Sequence, residues 1–307
     1  MFHLLLDLKM KEALEKLLTS RIIEQDLKND PLSFVHRYTE AKDQEIAGLF
    51  ASQLAYGRVS LFLPILQAFF DIVDQDGGPR KWIEEFNVQK HSTLATIKYR
   101  WNNPIDFILM AHTLQNIFQT YDSIGSLFGN SEQELQDSNQ NSQFDHAQTL
   151  DMVISILRTS AVQSAENAGL SCSRFQDLPR GFRTWLSTPN EKSACKRWNL
   201  YLRWMVRTEH PDIGIWKISP SRLRIPLDKH VHDLSLMLGL TSRKNSDNQT
   251  VTEITQKLKT LHVEDPIRYD FSLAHLGISG GCQKTYIKDI CSTCVLQNDC
   301  IHGQSHM

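Results

Sequence analysis

A carboxylate, an amine and a group of thiols are the side chains in this sequence whose types and spacing could do chemistry together. Asp228 opens the stretch PLDKHVHDLSLMLGL, residues 226–240. Val231, Leu234 and Leu238 recur there at the spacing of one helix face, and Gly239 stands where a C-cap belongs. The pattern predicts a helix with Asp228 at or near its N-terminus. A carboxylate in that place accepts hydrogen bonds from free backbone N–H groups and stays ionised beside the positive end of the helix dipole. Taken alone, such an aspartate is an N-cap. Its company is Lys196, thirty-two residues earlier, and a run of cysteines after it.

Cys282, Cys291, Cys294 and Cys300 follow the spacing C-x8-C-x2-C-x5-C, four thiols within nineteen residues. In a reducing compartment this density argues for a metal rather than a disulfide framework. A tetrahedral zinc site is the simple reading, yet many zinc modules pair two C-x-x-C knuckles and this chain has one. A 4Fe–4S cluster is larger, and a single looping segment can supply all its thiolates. Spacing puts the iron–sulfur cluster first and keeps zinc as the alternative. Cys172 and Cys195 lie outside the group and read as small, half-buried residues.

The elements that must position these groups are helices. Apolar periodicity predicts them over residues 10–27, 43–56, 60–73, 105–121, 149–165, 193–206, 251–260 and 267–276, with shorter ones at 81–86, 123–128 and 177–186. Few segments alternate with period two, so the fold class is all-α, without an internal repeat. Residues 129–148, GNSEQELQDSNQNSQFDHAQ, are polar and read as a surface insertion. With 307 residues, 41% apolar and 22% charged, the chain has the make-up of an ordinary globular protein with ample core. No apolar run approaches the ~20 residues of a spanning helix. The N-terminus carries charge from Asp7 onward and no small-residue cleavage site, so the expected location is the cytoplasm. The net charge is −2, but from Arg180 to His230 eleven Lys or Arg face four Asp or Glu. A basic zone in a mildly acidic protein suits an anionic partner met by one face, or a solvated surface whose acidic partners lie elsewhere.

The order Lys196, Asp228, helix, then a four-cysteine loop resembles the helix-hairpin-helix DNA glycosylases, the endonuclease III and MutY branch. Residues 194–202, ACKRWNLYL, resemble the start of the hairpin's second helix, and Lys196 falls where bifunctional members keep a nucleophilic lysine. Asp228-Lys229-His230-Val231 is similar to the segment bearing the family's essential aspartate, usually followed by Thr-His-Val. Residues 270–277 resemble the helix before the family's cluster, and the cysteines resemble C-x6-C-x2-C-x5-C with two extra residues in the first gap. A weaker piece, Phe50-Ala51-Ser52-Gln53, is similar to the segment whose glutamine probes the DNA stack. The whole sequence looks still more like an uncharacterised bacterial family at the edge of this superfamily. One departure stands out. The family hairpin reads Leu-Pro-Gly-x-Gly, whereas residues 186–193 here contain no glycine. Glycines let backbone N–H groups come close to a phosphate, so here that grip falls to Lys192, Ser193 and Arg197.

The resemblance implies two helical lobes with a groove between them. One is residues 44–210, holding a degenerate hairpin at about 186–207 and the insertion 129–148; the other is 1–43 plus 211–307, ending in the cluster loop 282–300. It implies a DNA N-glycosylase, with lyase activity if Lys196 is neutral and oriented. Asp228 would stabilise a cation-like sugar, Arg197 and partial burial would lower the Lys196 pKa, and Gln53 would fill the gap left by an extruded base. The expected partner is duplex DNA with a damaged or mismatched base; no membrane and no protein partner are expected. The run Arg197, Trp198, Tyr201, Arg203, Trp204, Arg207 could stack on nucleic acid, and its apolar half has the spacing of core. His230 and His232 read as helix-surface residues. Two other classes stay open: a nucleic-acid-binding protein on the same scaffold without chemistry, and a zinc-stabilised helical interaction module.

Overall fold

Helix starts in this chain are marked by short polar residues that satisfy the first free N–H groups, and several recur in the structure as caps. A computed structural model describes residues 2–138 and 146–306. Among the described residues there is no strand, only isolated bridges at Tyr99–Asn102 and Ser193–Asp247. The fold is all-α. Its helices of nine residues or more are α1 (Phe2–Ser20), α2 (Ala41–Leu54), α3 (Val59–Gln75), α4 (Pro104–Ile117), α5 (Ile124–Ser138), α6 (His146–Gln163), α7 (Lys196–Val206), α8 (Lys229–Met237), α9 (Asn248–Leu261) and α10 (Asp270–Ile278).

Three boundaries differ from the periodicity reading. The helix expected over 10–27 stops at Ser20, and a separate turn, Ile23–Leu27, follows. Arg21 breaks the run by turning back to Asp26, and Ile22, counted in the apolar stripe, is exposed. The insertion expected at 129–148 is helical to Ser138, because Ile124, Leu127, Phe128 and Ser131 form a buried face that the polar composition hides. Residues 139–145 of that insertion lie outside the described residues. Residues 193–195, expected as the first turn of α7, form a turn instead.

The chain divides into two compact units. The larger comprises Leu27–Glu191 and Trp204–Ile218; the smaller comprises Met1–Asp26, Lys192–Arg203 and Ser219–Met307. Residues 27–43 thus go with the larger unit, and the segment carrying Lys196 goes with the smaller one.

The larger unit is built on aromatic rings. Phe50 of α2 meets Phe69 of α3 at 4.7 Å between centroids, Phe69 meets Phe107 of α4 at 5.2 Å, and Phe107 meets Trp185 edge-on at 5.1 Å. Buried carboxylates join its helix ends. Glu45 accepts the N–H groups of Ile124 (2.9 Å) and Gly125 (3.2 Å) at the start of α5, and the Trp216 indole at 2.7 Å. Burial pushes the pKa of Glu45 up against these hydrogen bonds. Asp106 closes a capping box on α4 with Asn103 and also accepts the Phe182 N–H at 2.9 Å. That second bond fixes the start of the short helix Arg180–Trp185. Gly181 is required there, since a Cβ would collide with Asp106 Oδ2. The other end of the short helix is held by Arg158 of α6, whose Nε and Nη2 donate to the Leu186 carbonyl at 2.9 and 2.6 Å.

In the smaller unit, α1 buries Ala13, Leu14 and Leu17. Its Glu15 accepts the Tyr269 hydroxyl at 2.7 Å and Arg268 at 3.0 Å, and its Asp7 pairs with Lys257 of α9 at 2.9 Å. Arg203 and Asp270 form a buried ion pair at 2.5 Å. At Gly277, α10 comes so close to α8 that a Cβ would lie 2.6 Å from His230 Nδ1.

Candidate functional site

The segment before Asp228 is anchored from the side. Leu223, Ile225 and Leu227 are buried. Ile225 donates its N–H to Thr255 Oγ1 at 3.1 Å, and Arg224 reaches Thr252 Oγ1 at 2.6 Å, so α9 fixes the approach to α8. Asp228 then leaves extended (φ −101°) as the N-cap of α8, and its Oδ1 accepts the Val231 N–H at 2.8 Å. The carboxylate is half-buried, and Oδ2 has no hydrogen-bond partner among the described residues. One oxygen therefore holds the helix while the other is available. His232 is buried rather than superficial; Nε2 meets the Arg243 carbonyl and Nδ1 the Ser246 hydroxyl, each at 2.8 Å. His230 packs under Gly277, so neither histidine is a plain surface residue.

Lys196 is the first residue of α7, half-buried beside a half-buried Arg197. A helix N-terminus is the unfavourable end for a cation, so the dipole gives no reason for a lysine there. The turn before it lacks glycine yet takes the backbone that glycine favours: φ is +63° at Lys192 and +46° at Cys195. Pairing holds it in place. Ser193 bridges to Asp247, Lys192 accepts the Asn248 N–H at 3.1 Å, and Ser193 Oγ accepts the Cys195 N–H at 3.2 Å. Asp247 in turn caps α9 through Thr250 N at 2.9 Å. Lys192 is exposed and Ser193 half-exposed, both accessible to a ligand. Lys196 and Asp228 thus stand at two helix starts within the smaller unit.

Two expected contact groups lie inside instead. Gln53 is 1% exposed in α2, so its side chain does not reach a duplex from this position. The run from Trp198 to Arg207 is core: Trp198, Tyr201, Arg203, Trp204 and Arg207 are buried, and Arg207 pairs with Asp212. Two arginines of the basic zone, Arg203 and Arg207, are therefore neutralised internally. The larger unit does present an aromatic corner that periodicity could not single out. Trp101, 48% exposed, lies nearly parallel to Tyr56 (5.6 Å, 10°). Arg100, at φ +53°, sits 5.8 Å from the Tyr56 ring.

All four cluster cysteines line one pocket, with Leu234, Met237 and Leu238 of α8 and Leu276 of α10 in its wall. Its cavity volume is small, about 40 Å³. One sulfur accepts a backbone N–H group, Cys291 from Ile287 at 3.4 Å. Lys284, two residues after Cys282, adopts φ +66°. Thiol sulfur is a weak acceptor, whereas thiolate is a strong one. Burial pushes the Cys282 and Cys294 thiols up, and the neighbouring cysteines add to this. A bound cation would reverse that balance. Among the described residues no group of three or more His, Cys, Asp or Glu is arranged to hold a single metal ion.

Compared with known families, residues 30–279 match one described as "Protein of unknown function (DUF2400)", and the chain belongs to that family. The match takes in Lys196 and Asp228 and stops short of Cys282. No curated protein and no solved structure matches the chain. Among the described residues, no helix is long and apolar enough to cross a membrane.

Proposed function

We propose that the chain is a DNA base-excision enzyme of the N-glycosylase type, with Asp228 as its carboxylate and Lys196 as its amine. The observation that carries this reading is the division of labour in α8. Asp228 stands at its N-terminus with one oxygen on Val231 N–H and one unused, while Leu234, Met237 and Leu238 near the other end wall the cysteine pocket. A pocket that braces the helix from behind keeps the carboxylate in place.

Breaking the bond between a base and sugar C1′ builds positive charge on the sugar. An ionised, fixed carboxylate stabilises that charge without reorganising. In the monofunctional version, Asp228 Oδ2 takes the proton of a water that attacks C1′ as the base leaves. In the lyase version, the neutral Lys196 amine attacks C1′ as the C1′–N bond to the base breaks, a proton passes from the amine to Asp228, and opening of the C1′–O4′ bond leaves a Schiff base. The exposed Trp101 face beside Arg100 offers a stacking surface for nucleic acid.

Four thiols supplied by one looping segment and lining one pocket, Cys282, Cys291, Cys294 and Cys300, support a 4Fe–4S cluster as the group they would hold, with zinc as the alternative. The group would supply structural bracing of α8 and α10.

The test is a panel of lesion-bearing duplexes with wild type and Asp228→Asn. We expect cleavage of at least one lesion by wild type alone, and a borohydride-trapped adduct that disappears in Lys196→Ala. A second reading, a nucleic-acid-binding protein without turnover, is favoured by the Val231 bond, which explains Asp228 as a cap. Duplex binding with no cleavage of any lesion would establish it.

A further inference from the structure

The larger unit carries a pocket whose cations exceed its anions. Arg180 and Arg183 are three residues apart on the short helix Arg180–Trp185 and so share a face. Both line an open pocket of about 330 Å³, together with Arg158, Phe175, Gln176 and Glu191. Arg80 and Arg174 of this unit, by contrast, are paired with Glu84 and Asp177. Arg180 has no hydrogen bond or ion pair among the described residues. Arg183 Nε is buried and likewise lacks a hydrogen-bond partner.

The acidic groups nearby are already engaged. Glu191 accepts Arg158 at 2.6 Å and the Thr188 N–H at 3.2 Å. Asp177, which also feels Arg183, is held by Arg174 at 2.8 Å. Arg158 itself is committed to the Leu186 carbonyl and lies 4.3 Å from the Phe175 ring centroid, which makes it a wall rather than a donor. Thr184 and Ser187 give their hydroxyl protons to backbone carbonyls. What remains is a pair of guanidinium forks with two positive charges in excess. Planar forks match the oxygens of a phosphate, two at a time.

We propose that this pocket is a phosphate-binding site in which Arg180 and Arg183 are the direct donors. Assigning the phosphate to a DNA backbone rests on the base-excision reading; a free phosphate has the same chemistry. Contacts of this kind go to the strand's phosphates, so they position it and carry no sequence information directly.

The experiment uses the full chain. Anisotropy of a short fluorescein-labelled duplex is followed against salt for wild type, Arg180→Gln/Arg183→Gln and, as a control on the same unit, Lys81→Gln. Line broadening of inorganic phosphate by phosphorus NMR runs in parallel. We expect the double variant to bind about tenfold more weakly at low salt, with a log–log salt slope shallower by about 0.9 per arginine removed, and the control to match wild type. Equal affinity and slope in the double variant and wild type overturn the proposal while leaving DNA binding intact. If wild type binds no duplex, the base-excision reading is what fails, and inorganic phosphate then decides. Broadening by wild type and not by the double variant upholds the site, for free phosphate. Broadening by both or by neither overturns it. Should the double variant melt early, Arg180→Gln alone, at an exposed position, carries the same comparison.

Discussion

Asp228 caps α8, and the proposed base excision would give its carboxylate a second task that a conservative substitution separates from the first. Asparagine caps a helix as well as aspartate does, whereas alanine loses about 1 kcal/mol at an N-cap. Asp228→Asn is therefore expected to keep its melting temperature and lose turnover, while Asp228→Ala loses both; thermal melts beside nicking assays check this. A loss of stability in Asp228→Asn equal to that in Asp228→Ala would mean the charge itself holds the fold. The N-cap at Asp228 was legible because the pattern around it is local: an aspartate, then an apolar stripe. Gln53 and the run after Arg197 were not legible in the same way. Their types suit a nucleic-acid face, but burial depends on neighbours distant in sequence, such as Asp270 for Arg203 and Asp212 for Arg207. The left-handed backbone at Lys192 and Cys195 was also hidden, since neither residue type favours it.

Among elements, the close contact of α8, which carries Asp228, with α10 sets the packing on that side. It allows no side chain at Gly277, where a Cβ would lie 2.6 Å from His230 Nδ1. Gly277→Ala is expected to destabilise the protein by about 1–3 kcal/mol through overpacking, and His230→Ala added to it should recover part of that loss, as a double-mutant cycle by denaturant unfolding would measure. A second tie joins α8 to the cysteine loop. Asp233 pairs with Lys284 at 2.6 Å and Lys229 at 3.2 Å. Burial works to raise the Asp233 pKa, but the two ammonium groups outweigh it and the net shift is downward. A carboxylate lowered on folding adds stability above its unfolded pKa of about 4 and loses it as pH falls through the folded value. Asp233→Asn should thus cost about 1 kcal/mol or less near neutral pH, and the gap from wild type should close in acid. A gap that persists below the carboxylate range would mark a packing effect. Helix type was readable from period, and helix ends were not where a tertiary contact set them, as at Arg21 and along residues 129–138.

For the molecule as a whole, the cysteine pocket is the feature that an amino-acid change can test without any substrate. Its wall is α8 and α10, so Cys294→Ser is expected to bleach absorbance near ~400 nm and to lower amide-exchange protection in α8 and α10, with α2, α3 and α4 of the larger unit keeping theirs. Protection unchanged in α8 and α10 would sink the bracing role. The two-unit division follows tertiary contacts, whereas the bounds implied by the resemblance put residues 27–43 and the Lys196 segment on the other side. That division bears on how the chain comes off the ribosome. α1 is tied by Asp7 to Lys257 of α9 and by Glu15 to Arg268 and Tyr269 just before α10, partners more than two hundred residues downstream. At translation speeds of about 5–20 residues per second, α1 waits on the order of ten seconds or more before those partners emerge. During that interval its leucines are a ready target for chaperones, while the segment Leu27–Glu191 has all its own residues in hand and can condense first.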